Sequence, residues 1–318
     1  MFSFLREAIW FGTVYLYGST GEIITEKSGH LNLGIPGIMC MGAVGGCVAD
    51  IWYMNSFADP SKMPAGAVII IGILGAMLVA GLMGLLYSFF TVSLRCNQNV
   101  TGLAITTFGI GVMNYWSERM GAKGISIYWV RQCFAQTFPC AGTIGDFGKL
   151  FFSYGTLTYL ALAIALIASF VLRRTRIGLN LRAIGENPAA ADATGINITA
   201  YKYVATVLGA AIAGIGGLFC MVEVTTSFQY SVDAAGWLAV AIVIFSVWRP
   251  SLAVLGSMAF AILYYIPSRV QVDFGEKELI KMIPYVVTII VLIIISILNK
   301  KETQPPQSLG VNYFREER

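Results

Sequence analysis

Residues 173–202, RRTRIGLNLRAIGENPAAADATGINITAYK, separate two long apolar runs and carry five basic side chains. On an insertion scale, each arginine or lysine at the centre of a membrane helix costs roughly 2.5–3.5 kcal/mol. Five of them would cost on the order of ten kcal/mol or more, so the segment is predicted to lie in water between two membrane crossings.

A short helix is predicted inside this segment. Asn187 precedes Pro188, which suits a cap followed by the first helical position. The alanines that follow favour helix, and Gly195 is predicted to end it. A short capped helix held beneath membrane crossings is typical of a docking element. We therefore interpret residues 173–202 as the connection to a partner protein that supplies energy for transport.

The composition is that of an integral membrane protein. Of 318 residues, 57% are hydrophobic and 12% are charged, and the mean hydropathy is +0.72. Soluble domains contain about 25% charged residues. The 34 glycines suit transmembrane helices that pack closely. Lysines and arginines near membrane ends account for the net charge of +4, so no nucleic-acid partner is indicated.

The pattern of apolar runs predicts an all-α, polytopic transmembrane bundle over residues 1–300. About nine membrane segments are expected, at residues 2–24, the second part of 21–50, 66–94, 102–117, 151–172, 203–222, 237–248, 251–267 and 282–299. The loop at 118–150 is predicted to face outward. The polar tail at 301–318 is predicted to be disordered.

One membrane segment is interrupted. Gly29, Gly34 and Gly37, together with Asn32 and Pro36, break any regular helix across the middle of residues 21–50. Non-helical backbone at membrane depth is tolerated where it is buried in protein or lines a cavity. Two interpretations stay open: an ordinary loop between two helices, or a broken helix that lines a transport path.

The order of segments in residues 2–117 resembles that in residues 203–299. Five membrane crossings separate the start of the first half from the start of the second. Because this number is odd, the two halves are predicted to lie in opposite orientations in the membrane. The sequence therefore predicts an inverted repeat, which is typical of transporters.

The distribution of lysine and arginine supports one orientation. If residues 173–202 are cytoplasmic and the crossings alternate, 12 basic residues lie inside and 9 outside. The inner set contains Lys27, Arg95, Arg249, the five of residues 173–202 and four in the tail. This small excess agrees with the positive-inside rule.

Polar side chains lie beside or within otherwise apolar helices. They are Asn32, Asn99, Thr107 and Asn114. Such groups cost free energy when they face lipid, so they are predicted to face other helices or a pathway. Hydrogen bonding between helices and contact with a substrate are both compatible with their positions.

Several kinds of site are absent from the sequence. It contains no G-x-x-x-x-G-K-[ST] loop and no G-x-S-x-G motif, and its one histidine, His30, excludes H-E-x-x-H. No catalytic residue, metal site or bound cofactor is therefore expected. The sequence places no ionisable residue deep within an apolar run, and the nearest is Glu223 at a segment end. This argues against an ion-coupled secondary carrier.

Cys133 and Cys140 share one polar loop and could pair in an oxidising compartment.

Three stretches carry a resemblance to a known family. They are GEIITEKSGHLNLGIPGIMCMGA (21–43), NQNVTGLAITTFGIG (97–111) and TRIGLNLRAIGENPAAADATGI (175–196). They resemble the signatures of bacterial ABC importer permeases of the branched-chain amino acid/ribose superfamily, in particular its nucleoside (simple-sugar) branch. The chain departs from that pattern at Pro36, where the family usually has glutamate.

The resemblance implies a non-enzymatic permease subunit in a bacterial cell membrane. Its expected partners are a second homologous permease, an ABC ATPase that binds ATP and Mg²⁺, and an extracellular or periplasmic substrate-binding (lipo)protein. A nucleoside is the expected substrate, with riboflavin or a simple sugar as alternatives. The residues that fall on the ATPase-coupling motif are Arg182, Glu186, Asn187, Pro188, Ala190 and Ala191.

Overall fold

The computed structural model describes residues 2–123, 126–137, 145–225, 232–269, 279–280, 282–298 and 304–314. These residues form helices and turns, and no β-strand occurs among them. The helices are α1 Phe2–Glu26, α2 Ile35–Met54, α3 Ala65–Ser88, α4 Gln98–Ala122, α5 Tyr128–Phe134, α6 Gly145–Phe151, α7 Thr156–Arg174, α8 Arg176–Glu186, α9 Pro188–Ala193, α10 Ile198–Phe219, α11 Val232–Phe245, α12 Pro250–Arg269 and α13 Ile283–Leu298.

The predicted all-α membrane bundle is confirmed. Each apolar segment of the sequence coincides with a helix, namely α1, α2, α3, α4, α7, α10, α11, α12 and α13. By length and composition, four stretches of the described chain can cross a membrane: Ile35–Met54, Ala65–Ser93, Thr156–Arg174 and Ile198–Val224. The protein is therefore an integral membrane protein.

Two helices continue into π-helical turns. Residues Phe89–Ser93 extend α3, and Cys220–Thr225 extend α10. Turns of this kind often mark functional sites in helices. Here they lie at the ends of the two longest apolar spans.

Glycines allow the central helices to pack closely. A Cβ at Gly217 of α10 would overlap the carbonyl oxygen of Met39 in α2. Gly42 of α2 lies similarly against the backbone of Gly214, so the α2 and α10 backbones touch. In a bilayer the hydrophobic effect does not hold helices together, so close packing of small residues contributes to their association.

The packing agrees with the predicted inverted repeat. Helix α1 packs against α10, α11 and α12, whereas α10 packs against α1, α2 and α3. Helix α2 in turn packs against α11. Exchanging the two halves of the chain therefore reproduces the same set of partners.

Three of the basic residues predicted to share the inner side lie near one another. Glu186, Arg182 and Arg249 all act electrostatically on Lys27. At the other end of the bundle, Arg6 and Arg131 line a common cavity. Among the described residues, Lys27, Arg182 and Arg249 thus lie near the end of α1 and Arg6 and Arg131 near its start, and the membrane orientation stays a prediction.

The predicted outer loop at 118–150 contains the short helices α5 and α6. Val130 and Phe134 of α5 are buried, and α5 packs against α3. Cys133 lies on α5, whereas its proposed partner Cys140 lies outside the described residues.

The tail departs from the expectation of disorder over residues 304–314. The Ser308 amide donates to the Gly185 carbonyl (3.0 Å), and its hydroxyl donates to the same oxygen (2.6 Å). Asn312 Nδ2 donates to the Arg95 carbonyl (2.7 Å). Carbonyls at helix ends lack partners within the helix, so polar tail residues can bind there.

Candidate functional site: the coupling segment

Three capping side chains shape the coupling segment, which we define as residues 173–202. Thr175 Oγ1 accepts from the Gly178 amide (3.2 Å) at the start of α8. Asn187 Oδ1 accepts from the Ala190 amide (3.0 Å) at the start of α9, and Asn197 Oδ1 accepts from the Ala200 amide (3.0 Å) at the start of α10. Each capping residue is extended, so the chain changes direction at each cap.

Helix α9 ends as the sequence predicts. Gly195 has a φ of +82°, and its amide donates to the Asp192 carbonyl (2.9 Å). The Ile196 amide donates to the Ala191 carbonyl (3.2 Å), which completes a Schellman motif. The predicted helix with its asparagine cap, first-position proline and terminal glycine is confirmed.

The structure divides the six predicted coupling residues into three groups. Glu186, Asn187 and Ala190 are exposed, and we call them the exposed tip. Ala191 is 3% exposed and packs with Ile184 and Ile198, so it fixes α9 to the bundle.

The other two predicted coupling residues, Arg182 and Pro188, are partly buried. Arg182 Nε donates to the Gly178 carbonyl of its own helix (3.4 Å). Contact of any of these six residues with an ATPase stays a prediction.

Helix α8 is not among the elements that the sequence pattern predicted. Thr175 caps it, and Leu181, Ile184 and Gly185 form its buried face. The signal was present, because a threonine followed by apolar residues at helical spacing marks a helix start. The basic residues around it obscured that pattern.

The coupling segment touches the interrupted part of the chain, residues 27–34, which we call the buried loop. A Cβ at Gly185 would overlap the Lys27 carbonyl oxygen, and Gly29 lies close to Gly185 with a φ of +77°. Burial lowers the pKa of Lys27, and the Glu186 carboxylate partly opposes that shift. The backbone at the end of α8 is therefore in direct contact with the backbone that follows α1.

Side chains from neighbouring helices satisfy the backbone of the buried loop. The Leu31 amide donates to Gln98 Oε1 (2.8 Å), and the Tyr87 hydroxyl donates to the Leu31 carbonyl. Thr106 Oγ1 donates to the Leu33 carbonyl (2.8 Å). These bonds from α3 and α4 meet the requirement that buried backbone polar groups be paired. A movement of the buried loop would therefore be transmitted to both helices.

The glycines predicted to break the helix each have a structural reason. Gly29 adopts a left-handed φ, and Gly34 is the N-cap residue that precedes α2. Gly37 lies against the α4 backbone at Ile105 and Thr106. The segment is thus a connection between two helices that is buried in protein.

The four predicted pathway residues do not form one site. Asn32 is 0% exposed, and its side chain accepts from the Gly34 amide (2.9 Å). Asn99 and Thr107 of α4 are exposed, and Asn114 of the same helix is partly buried. Their contact with a substrate stays a prediction.

The bundle buries ionisable residues that lie at the ends of apolar runs in the sequence. Glu26 and Glu223 are both 3% exposed. Trp248 Nε1 donates to Glu26 Oε2, and Trp10 Nε1 donates to Glu223 Oε2 (3.1 Å). Each carboxyl group is bound by an indole from the other half of the chain. The sequence could not show these pairs, because their members are 222 and 213 positions apart.

Replacing Gly185 by alanine is expected to impair the contact between α8 and the buried loop. The added methyl group would overlap a backbone oxygen, and overpacking of this kind costs typically 1–3 kcal/mol. We expect uptake by the assembled protein to fall about tenfold, which corresponds to about 1.4 kcal/mol. Gly121→Ala is the matched control, because a Cβ at that exposed position meets nothing within 4 Å. Equal uptake by the two variants would contradict the contact.

Comparison with known proteins gives one matching family and several relatives. The model of the branched-chain amino acid transport system/permease component family matches residues 4–292. A nucleoside ABC transporter permease protein of Lactococcus lactis subsp. cremoris is 30% identical over 318 residues, covering 96% of this chain and 94% of the relative.

Two further relatives differ in their named substrates. A guanosine ABC transporter permease protein of Bacillus subtilis is 27% identical, covering 94% of this chain and 92% of the relative. A putative glucose ABC transporter permease protein of Haloferax volcanii is 29% identical, covering 84% of this chain and 77% of the relative.

Proposed function

The chain belongs to the family of branched-chain amino acid transport permease components, and we propose that it is the permease subunit of an ATP-driven nucleoside importer. The observation that carries the proposal is the coupling segment, whose exposed tip faces away from the bundle while its other side packs on the buried loop. The sequence has no P-loop, so the ATP and Mg²⁺ would be bound by a partner ATPase.

The contacts suggest how ATP hydrolysis would drive transport. An ATPase that closes on nucleotide would push on Glu186 and Asn187 at the exposed tip. Because Gly185 touches the buried loop, the push would reach α1 and α2 directly. The hydrogen bonds of Gln98, Thr106 and Tyr87 to the same loop would carry it to α3 and α4. Discrete rearrangement of packed helices is a physical route for such coupling.

The exposed side of α4 supports a second permease as partner. Thr107 lines a shallow cleft on this side together with Phe108 and Tyr115. The Thr107 hydroxyl donates to the Leu103 carbonyl of its own helix (3.0 Å), so the cleft itself is the feature to which a helix of the partner would pack. The substrate path would then run between the two permeases. A substrate-binding protein would dock at the opposite end of the bundle from the coupling segment.

The substrate assignment rests on the relatives. Two of the three described above are named for nucleosides or guanosine, and both match more than nine-tenths of this chain. The glucose permease of Haloferax volcanii supports a simple sugar as the second candidate.

Uptake by the reconstituted importer tests both the reaction class and the substrate. The complete complex in proteoliposomes should accumulate labelled uridine or guanosine when ATP is present on the ATPase side. Excess unlabelled nucleoside should compete, whereas glucose and riboflavin should not. Competition by glucose alone would replace the nucleoside with a sugar. Uptake that persisted without the ATPase would instead indicate an ion-coupled carrier.

A further inference from the structure

A cavity of about 440 Å³ lies between the coupling segment and the folded part of the tail. We call it the tail pocket. The residues that line it and matter here are Arg95, Asp192, Thr199, Lys202, Asn312 and Tyr313. It combines the end of α3, the start of α10 and residues of the tail, and none of these groups is used in the transport mechanism above.

Lys202 is the unusual member of this pocket. Its side chain is 4% exposed, and no described residue forms an ion pair or hydrogen bond with it. Isolation of an ammonium group from water without a compensating anion is costly. An anion in the cavity that Lys202 lines would compensate the charge of its ammonium group.

Two further features of the pocket favour an anion. Asn197 binds the Ala200 amide, but the Ile198 and Thr199 amides before it have no acceptor within the helix, and the positive end of a helix of 22 residues attracts anions. Arg95 supplies a guanidinium group, which lies over the Phe314 ring (4.7 Å to its centroid). Arg95 adopts a φ of 56°, which is uncommon for a residue other than glycine, and Asn312 binds its carbonyl oxygen.

The pocket also contains one carboxylate, which already accepts a hydrogen bond. Asp192 Oδ2 accepts from the Tyr313 hydroxyl (3.0 Å). Two basic groups and one engaged acidic group leave a net positive charge facing the cavity.

We propose that the tail pocket binds a phosphate group, held by Lys202, Arg95 and the first turn of α10. Phosphate oxygens accept several charge-assisted hydrogen bonds at once, which suits an ammonium, a guanidinium and free amides around one space. The bound group would join α3, α10 and the coupling segment, so it would affect the stiffness of the coupling end. Its source is either a free phosphate compound of the aqueous phase or the headgroup of an anionic lipid. The site does not depend on which substrate the importer carries.

Binding of inorganic phosphate to the full-length chain in phosphatidylcholine nanodiscs tests the first source. We expect titration at constant ionic strength to show saturable binding, with an affinity about tenfold lower in Lys202→Gln. Lys62→Gln is the matched control, because Lys62 is exposed and lies 3.8 Å from Asp59, far along the chain from the pocket. Its affinity should stay within about twofold of the unmodified protein.

The second source is tested with nanodiscs that contain phosphatidylglycerol and no added phosphate. Stabilisation of the unmodified protein by this lipid, lost in Lys202→Gln and retained in Lys62→Gln, would assign the site to a lipid headgroup. Arg95→Gly serves if Lys202→Gln does not fold, since glycine suits the left-handed backbone at that position and removes the guanidinium group.

Three results would overturn the proposal. The first is the absence of any response to phosphate or phosphatidylglycerol in the folded protein. The second is an equal response in the Lys202→Gln or Arg95→Gly variants. The third is an effect of Lys202→Gln only when the ATPase is added, because Lys202 would then pair with an acidic side chain of that protein.

Discussion

Replacing Glu186 and Asn187 together by alanine is expected to lower substrate-stimulated ATP hydrolysis by the assembled importer about 30-fold. This corresponds to about 2 kcal/mol, the size of effect found at interface hot spots. Both side chains are exposed at the tip, where a partner would contact them. Asn187 also caps α9, and loss of such a cap costs about 1 kcal/mol. The measurement is the rate of phosphate release with and without substrate, on complexes purified with equal ATPase content.

Two controls separate docking from the folding of α9. Asn187→Asp keeps a capping oxygen, so α9 should remain intact and the coupling defect should be smaller. Glu118→Ala removes an exposed carboxylate near the C-terminal end of α4. This variant should leave the stimulation of ATP hydrolysis by substrate unchanged. If the double variant hydrolysed ATP and transported substrate normally, the exposed tip would not be the coupling element.

Replacing Gly217 by leucine is expected to prevent the chain from folding into a stable bundle. The Cβ alone would overlap the Met39 carbonyl oxygen, and a leucine side chain would force α2 and α10 apart. Overpacking costs typically 1–3 kcal/mol and more where backbone must move, which is a large part of the stability of most proteins. Size-exclusion chromatography and thermal unfolding of the detergent-solubilised protein should show aggregation or loss of the cooperative transition.

Gly121→Leu is the matched control for this substitution. Gly121 also lies in a long helix, but its position is exposed, and a Cβ there meets nothing within 4 Å. The control should elute as a single species and unfold near the temperature of the unmodified protein. If Gly217→Leu behaved in the same way, the close approach of α2 and α10 would not be required for folding.

The Gly217 variant and the Glu186/Asn187 double variant test different parts of the structure. Gly217 acts at the helix crossing that holds the bundle together, whereas Glu186 and Asn187 act where the bundle meets a partner. Gly185 lies between these parts, because its backbone joins the coupling segment to the buried loop. We expect Gly185→Ala to lose coupling while the complex still assembles, and Gly217→Leu to lose assembly itself.

The sequence by itself determined the membrane class, the long apolar helices and the cap of α9. These features depend on local physics: the desolvation cost of charges, the length of apolar runs and the hydrogen bonds of a capping asparagine. It also indicated the family, through motifs such as TRIGLNLRAIGENPAAADATGI (175–196). Helix α8 could have been predicted in the same way from Thr175 and the apolar residues that follow it.

Only the tertiary structure decided which polar groups are buried and what they touch. Glu26 and Glu223 lie at the ends of helices, and a sequence places such positions in water by default. Ser308 lies in a polar tail, yet it binds the carbonyl of Gly185, 123 positions away. The free energy of a buried polar group depends on the partner that is brought to it, and partners so distant in the chain are set by helix packing rather than by local pattern.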